Sequence, residues 1–322
     1  IINVNNNCSS GSTALFLARQ AVESGVAECV LAVGFEQMAP GALGVVFPDR
    51  PSPLAEFDAA TDRLIGDVDL PMTLRYFGGA GKAHMERFGT KMETFAKIRA
   101  KASRHAANNP LSVFRKEMTT QDVMGAQVIW PGVMTRPMAC PPTCGAAAAL
   151  VVSKGFAEKM GLDTTVQIRA QAMTTDKLLD PETGDMIEVV GARLSRDAAR
   201  MVYEKAGVGP DDIDVIELHD CFAQNELISY EALGLCAESD GEKLVDDGDN
   251  TFGGKYVTNP SGGLLSKGHP LGATGLAQCF ELTNQLRGKA ENRQVDNARL
   301  ALQHNVGLGG AAVVTLYERI TA

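Results

Sequence analysis

Apolar residues recur at helical spacing close to the start of the chain. In "NVNNNCSSGSTALFLARQAVESG", residues Ala14, Leu15, Ala18, Ala21 and Val22 fall on one face. A second stretch, "SKGHPLGATGLAQCFELTNQLRG", repeats the pattern through Leu276, Cys279, Phe280 and Leu286. Both helices are predicted to close near a glycine, Gly25 and Gly288, in a left-handed C-terminal cap. Each is followed by an apolar run, "CVLAVG" and "RLALQHN", that reads as a buried strand. The two stretches also agree position by position. Cys8 lies three residues before Gly11 as His269 lies three before Gly272, and at the same offset Leu15 matches Leu276 and Ala18 matches Cys279. The chain reads as a duplication.

The halves differ in two places. The second continues through "VGLGG" into another strand-like run, "AAVVTLY", whereas the first reaches its own, "GAAAALVVS", only after an excursion of about a hundred residues. That is too long for a loop and predicts a small inserted domain over residues 36–144. Within it "AHMERFGTKMETFAKIRAKASRHAANN" reads as helical, and "FPDRPSP" and "WPGVMTRPM" as irregular connections. Residues 1–35 and 145–164 then make the first half, and 165–322 the second. Before His269 the second half carries a strand in "TVQIRAQAM", a helix in "SRDAARMVYEKAG", a turn in "VGPDD" and a strand in "IDVIEL". Only seven residues precede Cys8, so the first half is expected to lack its opening two or so strand–helix units.

Composition narrows the function. The chain of 322 residues is 45% hydrophobic, poor in aromatics and rich in glycine, the palette of a closely packed α/β enzyme. A net charge of −9 without any basic block argues against a nucleic-acid partner. No apolar run approaches the length of a membrane span, so no stable membrane insertion is expected. Seven cysteines, odd in number and without framework spacing, read as reduced thiols. Cys140 and Cys144 in "CPPTC" have no second pair to complete a zinc site, so no metal is expected.

Four short motifs carry chemistry. Cys8 and His269 occupy the same place in the two halves, the turn where a strand enters a helix. A cysteine there feels the positive end of the macrodipole, which is expected to lower its pKa. Two such helix ends meeting across a duplicated core place His269 as a base beside a Cys8 nucleophile. "ELHDCFAQNE" sets His219, Asp220 and Cys221 beyond the carboxyl end of a strand, where open α/β sheets present ligands. The glycines of "HNVGLGG", Gly307 above all, offer backbone N–H groups to a developing oxyanion. His84, His105 and His304 read as surface or packing residues.

"NNNCSSGSTAL", "HDCF", "GHPLGATG" and "HNVGLGG", in this order, resemble the thiolases. More narrowly they resemble the sterol-carrier-protein-type thiolases and their bacterial lipid-transfer-protein relatives. The resemblance covers essentially the whole chain. It implies an α/β thiolase fold, a duplicated βαβαβαββ core of five layers with an inserted loop domain, and a homodimer. It also implies cleavage of a 3-oxoacyl-CoA by CoA, or the reverse, with CoA as substrate and no cofactor. On that resemblance Cys8 is acylated, His269 activates it, and Cys221 moves the proton at the substrate's Cα. His219, standing where ordinary thiolases have an asparagine, joins His269 in binding the thioester oxygen. The N–H groups of Cys8 and Gly307 form the other oxyanion hole. Asn305 stands where ordinary thiolases carry their second cysteine. The location implied is the cytoplasm of a bacterium or the peroxisomal matrix of a eukaryote. The resemblance leaves room for a lipid-carrier, hydratase or aldolase partner, for a non-catalytic lipid-transfer relative, and for a ketosynthase-like condensing enzyme.

Overall fold

The computed structural model describes residues 1–39, 47–177, 184–308 and 310–320. Helix α1 (Ser10–Glu23) begins just after Cys8 and leads to strand β1 (Cys29–Glu36). The excursion that follows holds α2 (Ala55–Ile65), α3 (Met72–Phe88), α4 (Met92–Ala107) and α5 (Thr120–Met124). It ends in a short hairpin, β2 (Val128–Trp130) with β3 (Met134–Thr135). Strand β4 (Gly145–Val152) then returns antiparallel along β1, and α6 (Lys154–Met160) leads to the second half. There follow β5 (Val166–Thr174), α7 (Met186–Val189), α8 (Ala192–Ala206), β6 (Val215–Glu217), α9 (Ala223–Ala232) and α10 (Gly241–Asp246). The chain closes through β7 (Val257–Thr258), α11 (Gly263–Ser266), α12 (Thr274–Arg287), β8 (Leu300–Gly307) and β9 (Ala311–Arg319).

The predicted duplication is visible in these elements. Helix α1 precedes the antiparallel pair β1–β4, and α12 precedes the antiparallel pair β8–β9. Both helices end as the glycines required, with Gly25 at φ 75° and Gly288 at φ 68°. They pack side by side between two sheets. One sheet is β1–β4; the other has the order β5-β9-β8-β6-β7, and α8 covers its far face. Helix α8 turns Leu194, Ala198, Ala199 and Val202 inward at helical spacing, which is why it lies there.

Strand β1 departs from the reading as a strand buried on both faces. Ala32 and Gly34 are buried, but Leu31, Val33 and Phe35 are 61%, 52% and 73% exposed. Leu150, paired with Leu31, is exposed as well. Helices α1 and α12 cover one face of β1–β4, and among the described residues nothing covers the other. Strand β8 does meet the expectation, because α12 lies on one side of its sheet and α8 on the other. The inserted helices have no core of their own. Tyr76, Phe77, Phe95 and Ile98 join one apolar cluster with Leu227, Ile228, Leu264 and Leu265 of the second half. A separate cluster, around Leu15, Ala18, Leu276 and Leu282, fills the space between the two sheets.

Candidate active site

The site lies where the carboxyl ends of β6 and β8 meet the first turns of α1 and α12. Strands β6 and β8 run parallel with Glu217 opposite Gln303. Two residues further on, His219 stands level with Asn305, and the Asn305 Nδ2 donates to His219 Nδ1 at 2.9 Å. The sidechain donors of Cys8, His219 and His269 all lie within 4.8 Å of one another. The two imidazole rings meet edge to face, centroids 5.2 Å apart.

The asparagines ahead of Cys8 hold it against the β8 end. Asn7, at φ 48°, sends its side-chain amide to the Leu308 carbonyl, and the Asn6 amide reaches Thr13 Oγ1 at 3.0 Å. The Asn6 carbonyl in turn accepts from the Ser9 N–H at 3.0 Å and the Ser9 hydroxyl at 2.9 Å. Gly307 passes so near that a Cβ there would stand 1.9 Å from the Asn6 carbonyl oxygen. Only glycine fits, and its backbone is brought beside the Cys8 turn. Gly309 of the same motif lies outside the described residues.

The hydrogen-bond pattern assigns a proton to one nitrogen of each imidazole. Thr274 Oγ1 lies 2.7 Å from His269 Nδ1 and gives its own hydrogen to the Pro270 carbonyl at 3.0 Å. With that hydrogen committed, the hydroxyl accepts from His269, which is therefore protonated at Nδ1. Its Nε2 is a bare lone pair, buried and without a hydrogen-bond partner among the described residues. His219 is the opposite case. Its Nδ1 faces an amide NH2, which only donates, so its proton sits on Nε2. One histidine offers a base and the other a hydrogen-bond donor. The trio also has the spacing of a metal site.

Burial governs the electrostatics. It pushes the Cys8 thiol up to about 12, with the backbone N–H at the helix start opposing and Glu36 adding. The macrodipole had pointed the other way; desolvation of a thiolate outweighs it here. Burial brings His269 down to about 3, with Lys267 as the lesser cause. His219 is lowered by burial and then by His269 and His304. The Cys221 thiol is raised well above its usual range by burial, then by Cys140, Cys8 and Asp220. At neutral pH the site holds neutral thiols and neutral imidazoles.

The loop after β6 carries the buried Cys221 and then Phe222, whose ring stacks on Phe77 with centroids 4.8 Å apart. Asp220 turns away from the reacting groups and accepts from the Leu264 N–H at 2.7 Å. The structure thus gathers Cys8, His219, His269, Asn305 and the Gly307 backbone at one place, with Cys221 on the next residue but one from His219. His304 faces away, its Nε2 2.9 Å from Ser195 Oγ on α8. His84 and His105 are buried among packing partners, Glu231 and Thr90 for the first, Thr251 and the Asn259 carbonyl for the second.

Sequence reasoning missed Thr274, Thr143 and Ser12. Thr143 accepts from the His269 N–H at 3.1 Å, and Ser12 donates to Asn305 Oδ1 at 2.8 Å. One signal for them was available. "ALQHNVG" puts Gln303, His304 and Asn305 in a row inside a buried strand, which is costly unless each polar group is met by a partner.

Comparison with known proteins decides the family. Residues 1–130 match the model "Thiolase, N-terminal domain", and residues 180–319 match "Thiolase C-terminal domain-like". Benzoylsuccinyl-CoA thiolase subunit BbsB of Thauera aromatica is 33% identical over 323 residues, 100% of this chain and 80% of that protein. The chain belongs to the thiolase family. Within it, sterol carrier protein 2 of Oryctolagus cuniculus is 57% identical over 322 residues, 99% of this chain. This thiolase-family chain spans 58% of the length of that relative. Among solved structures, the Ltp2-ChsH2(DUF35) aldolase superposes with a TM-score of 0.81 at 21% identity, covering 98% of this chain and 78% of that one. At that identity the likeness is one of thiolase fold. No helix among the described residues is long and apolar enough to cross a membrane.

Proposed function

We propose that this chain carries the catalytic site of a 3-oxoacyl-CoA thiolase of the sterol-carrier type, acting in fatty-acid or sterol side-chain β-oxidation. The observation that carries the reading is the meeting of Cys8, His219 and His269 within 4.8 Å, with hydrogen bonds that assign the two imidazoles opposite tautomers. The bare His269 Nε2 takes the Cys8 proton as sulfur attacks the 3-keto carbonyl. The N–H groups of Cys8 and Gly307 receive the oxyanion that forms there. Collapse breaks the Cα–Cβ bond, leaves the acyl group on Cys8 and releases an acyl-CoA enolate. The enolate's thioester oxygen is held by the Nε2–H of His219 and by the proton His269 has just gained.

Cys221 gives its proton to the enolate carbon, leaving a thiolate that balances the His269 imidazolium. Incoming CoA returns a proton to Cys221 and attacks the acyl thioester. Cys8 departs and takes its proton back from His269. Burial of Cys221 suits this work, since a desolvated thiolate is a strong base. CoA is a substrate throughout, and a homodimer belongs to the same reading.

Incubation with a panel of straight-chain, 2-methyl-branched and sterol side-chain CoA thioesters tests the proposal. Mass spectrometry is expected to find one acyl mass on the peptide holding Cys8. An adduct on Cys221, persisting in Cys8→Ser, would overturn it.

A further inference from the structure

The protonation of His219 rests on an amide that fits either way round. Asn305 could present its NH2 or its carbonyl oxygen to His219, and the two choices put the histidine's proton on opposite nitrogens. A buried chain of hydrogen bonds makes the choice. Gln303 Nε2 donates one hydrogen to the Gly275 carbonyl at 2.7 Å, an acceptor that admits no alternative. Its second hydrogen goes to Ser12 Oγ at 2.8 Å, and its Oε1 receives the Tyr317 hydroxyl. The Ser12 hydroxyl, occupied on its acceptor side, sends its own hydrogen to Asn305 Oδ1 at 2.8 Å. That leaves the Asn305 NH2 facing His219 Nδ1. Ser12, Gln303, Asn305 and His219 are all at most 1% exposed, so no solvent breaks the sequence of donors.

We propose that Ser12 and Gln303 are positioning residues that lock His219 as the Nε2–H tautomer. From the Gly275-anchored glutamine the donors follow one direction, Gln303 to Ser12, Ser12 to Asn305 and Asn305 to His219. Under the thiolase reading, on which the catalytic half of this inference rests, the chain keeps the enolate donor charged with its hydrogen before substrate arrives. Reversing it would present the enolate oxygen with a lone pair. The ordering is built from both halves of the duplication: Ser12 comes from α1, Gly275 from α12 and Gln303 from β8.

Two-bond 15N–1H correlation spectra of histidine-labelled protein, recorded without substrate, read the tautomer directly. In the parent, His219 Nδ1 is expected to resonate as the unprotonated nitrogen. Ser12→Ala frees the Asn305 amide to turn, so His219 should populate both tautomers. Exchange of the acetyl-CoA Cα proton should fall by about tenfold or more, seen in kcat with little change in KM. Tyr317→Phe leaves the Gly275 anchor and should keep the parent tautomer. A cooperatively folded Ser12→Ala with His219 Nδ1 still unprotonated and exchange at the parent rate overturns the proposal. If Ser12→Ala does not fold, Gln303→Met is read by the same two signals. A parent protein that no acyl-CoA acylates would sink the thiolase reading and leave the tautomer result standing.

Discussion

Gly11 and Gly272, equivalent positions of the internal repeat, meet in space: a Cβ on Gly11 would stand 2.9 Å from the Gly272 carbonyl oxygen. Their neighbours are as close. A Cβ on Gly275 would fall 2.1 Å from Ser12 Oγ and 2.4 Å from its backbone nitrogen. Helices α1 and α12 therefore touch backbone to backbone at their N-terminal ends. This contact brings Cys8 and His269, each three residues ahead of its glycine, to one point.

Substitution of these glycines is expected to be costly because backbone atoms, the Gly272 carbonyl for Gly11 and the Ser12 nitrogen for Gly275, are among the obstructing ones. Gly275→Ala should lose about 3 kcal/mol or more, and Gly11→Ala less, since its overlap is smaller and alanine favours the helix. Urea unfolding midpoints check the ranking. Equal stability of Gly275→Ala and the parent would contradict the close approach.

Alkylation of Cys8 should report the neutral pair. With the thiol pushed up to about 12 and His269 held unprotonated, the iodoacetamide rate is expected to climb from about pH 6 to pH 10 without a plateau. His269→Ala should lower it at each pH, by about tenfold or more. A parent plateau below about pH 8 would mean that the ion pair already exists in the free protein. An unchanged rate in the variant would remove the base.

Cys221→Ala separates acyl transfer from carbon–carbon chemistry. Transfer from a simple acyl-CoA to Cys8 needs no carbanion and should persist. Thiolysis and Cα–H exchange should fall by about 10²–10⁴-fold, the worth of a positioned acid or base. Exchange at the parent rate would take the role from Cys221, and His219 is then the next candidate, because His304 faces Ser195.

Buried neutral histidines predict acid sensitivity. Burial, then Lys101, holds His105 down at about 3, against about 6.5 for an unfolded chain. A folded pKa below the unfolded one gives stability present above about pH 6.5 and lost as pH falls towards 3. His105→Gln should be less stable at neutral pH and should lose less between about pH 6.5 and pH 4. Urea midpoints across that range decide, and an identical slope in the variant would rule His105 out as a contributor.

Much of the fold was written in local pattern. Apolar spacing and the closing glycines sufficed for α1 and α12, and the strand-like runs for β4, β8 and β9, because helix caps and alternating or continuous apolar faces depend on near neighbours alone. The repeat added the pairing of Cys8 with His269, since equivalent positions in a duplicated core tend to meet. Motif order added the family.

Other features arise only from what packs against what. The exposed face of β1 and the shared core of the inserted helices are properties of neighbours far along the chain. The sign of the Cys8 shift depends on how much water is excluded, which sequence does not encode locally, and burial overrode the helix end. The histidines divide in the same way. Sequence placed His219 and His269 at strand and turn ends, but whether each is donor or base depends on single hydrogens. Those hydrogens are fixed by Thr274 and the Pro270 carbonyl for one ring, and by Ser12, Gln303 and the Gly275 carbonyl for the other. The two Ser12 bonds join residues 293 and 291 positions apart, and a packed interior gives such bonds one direction.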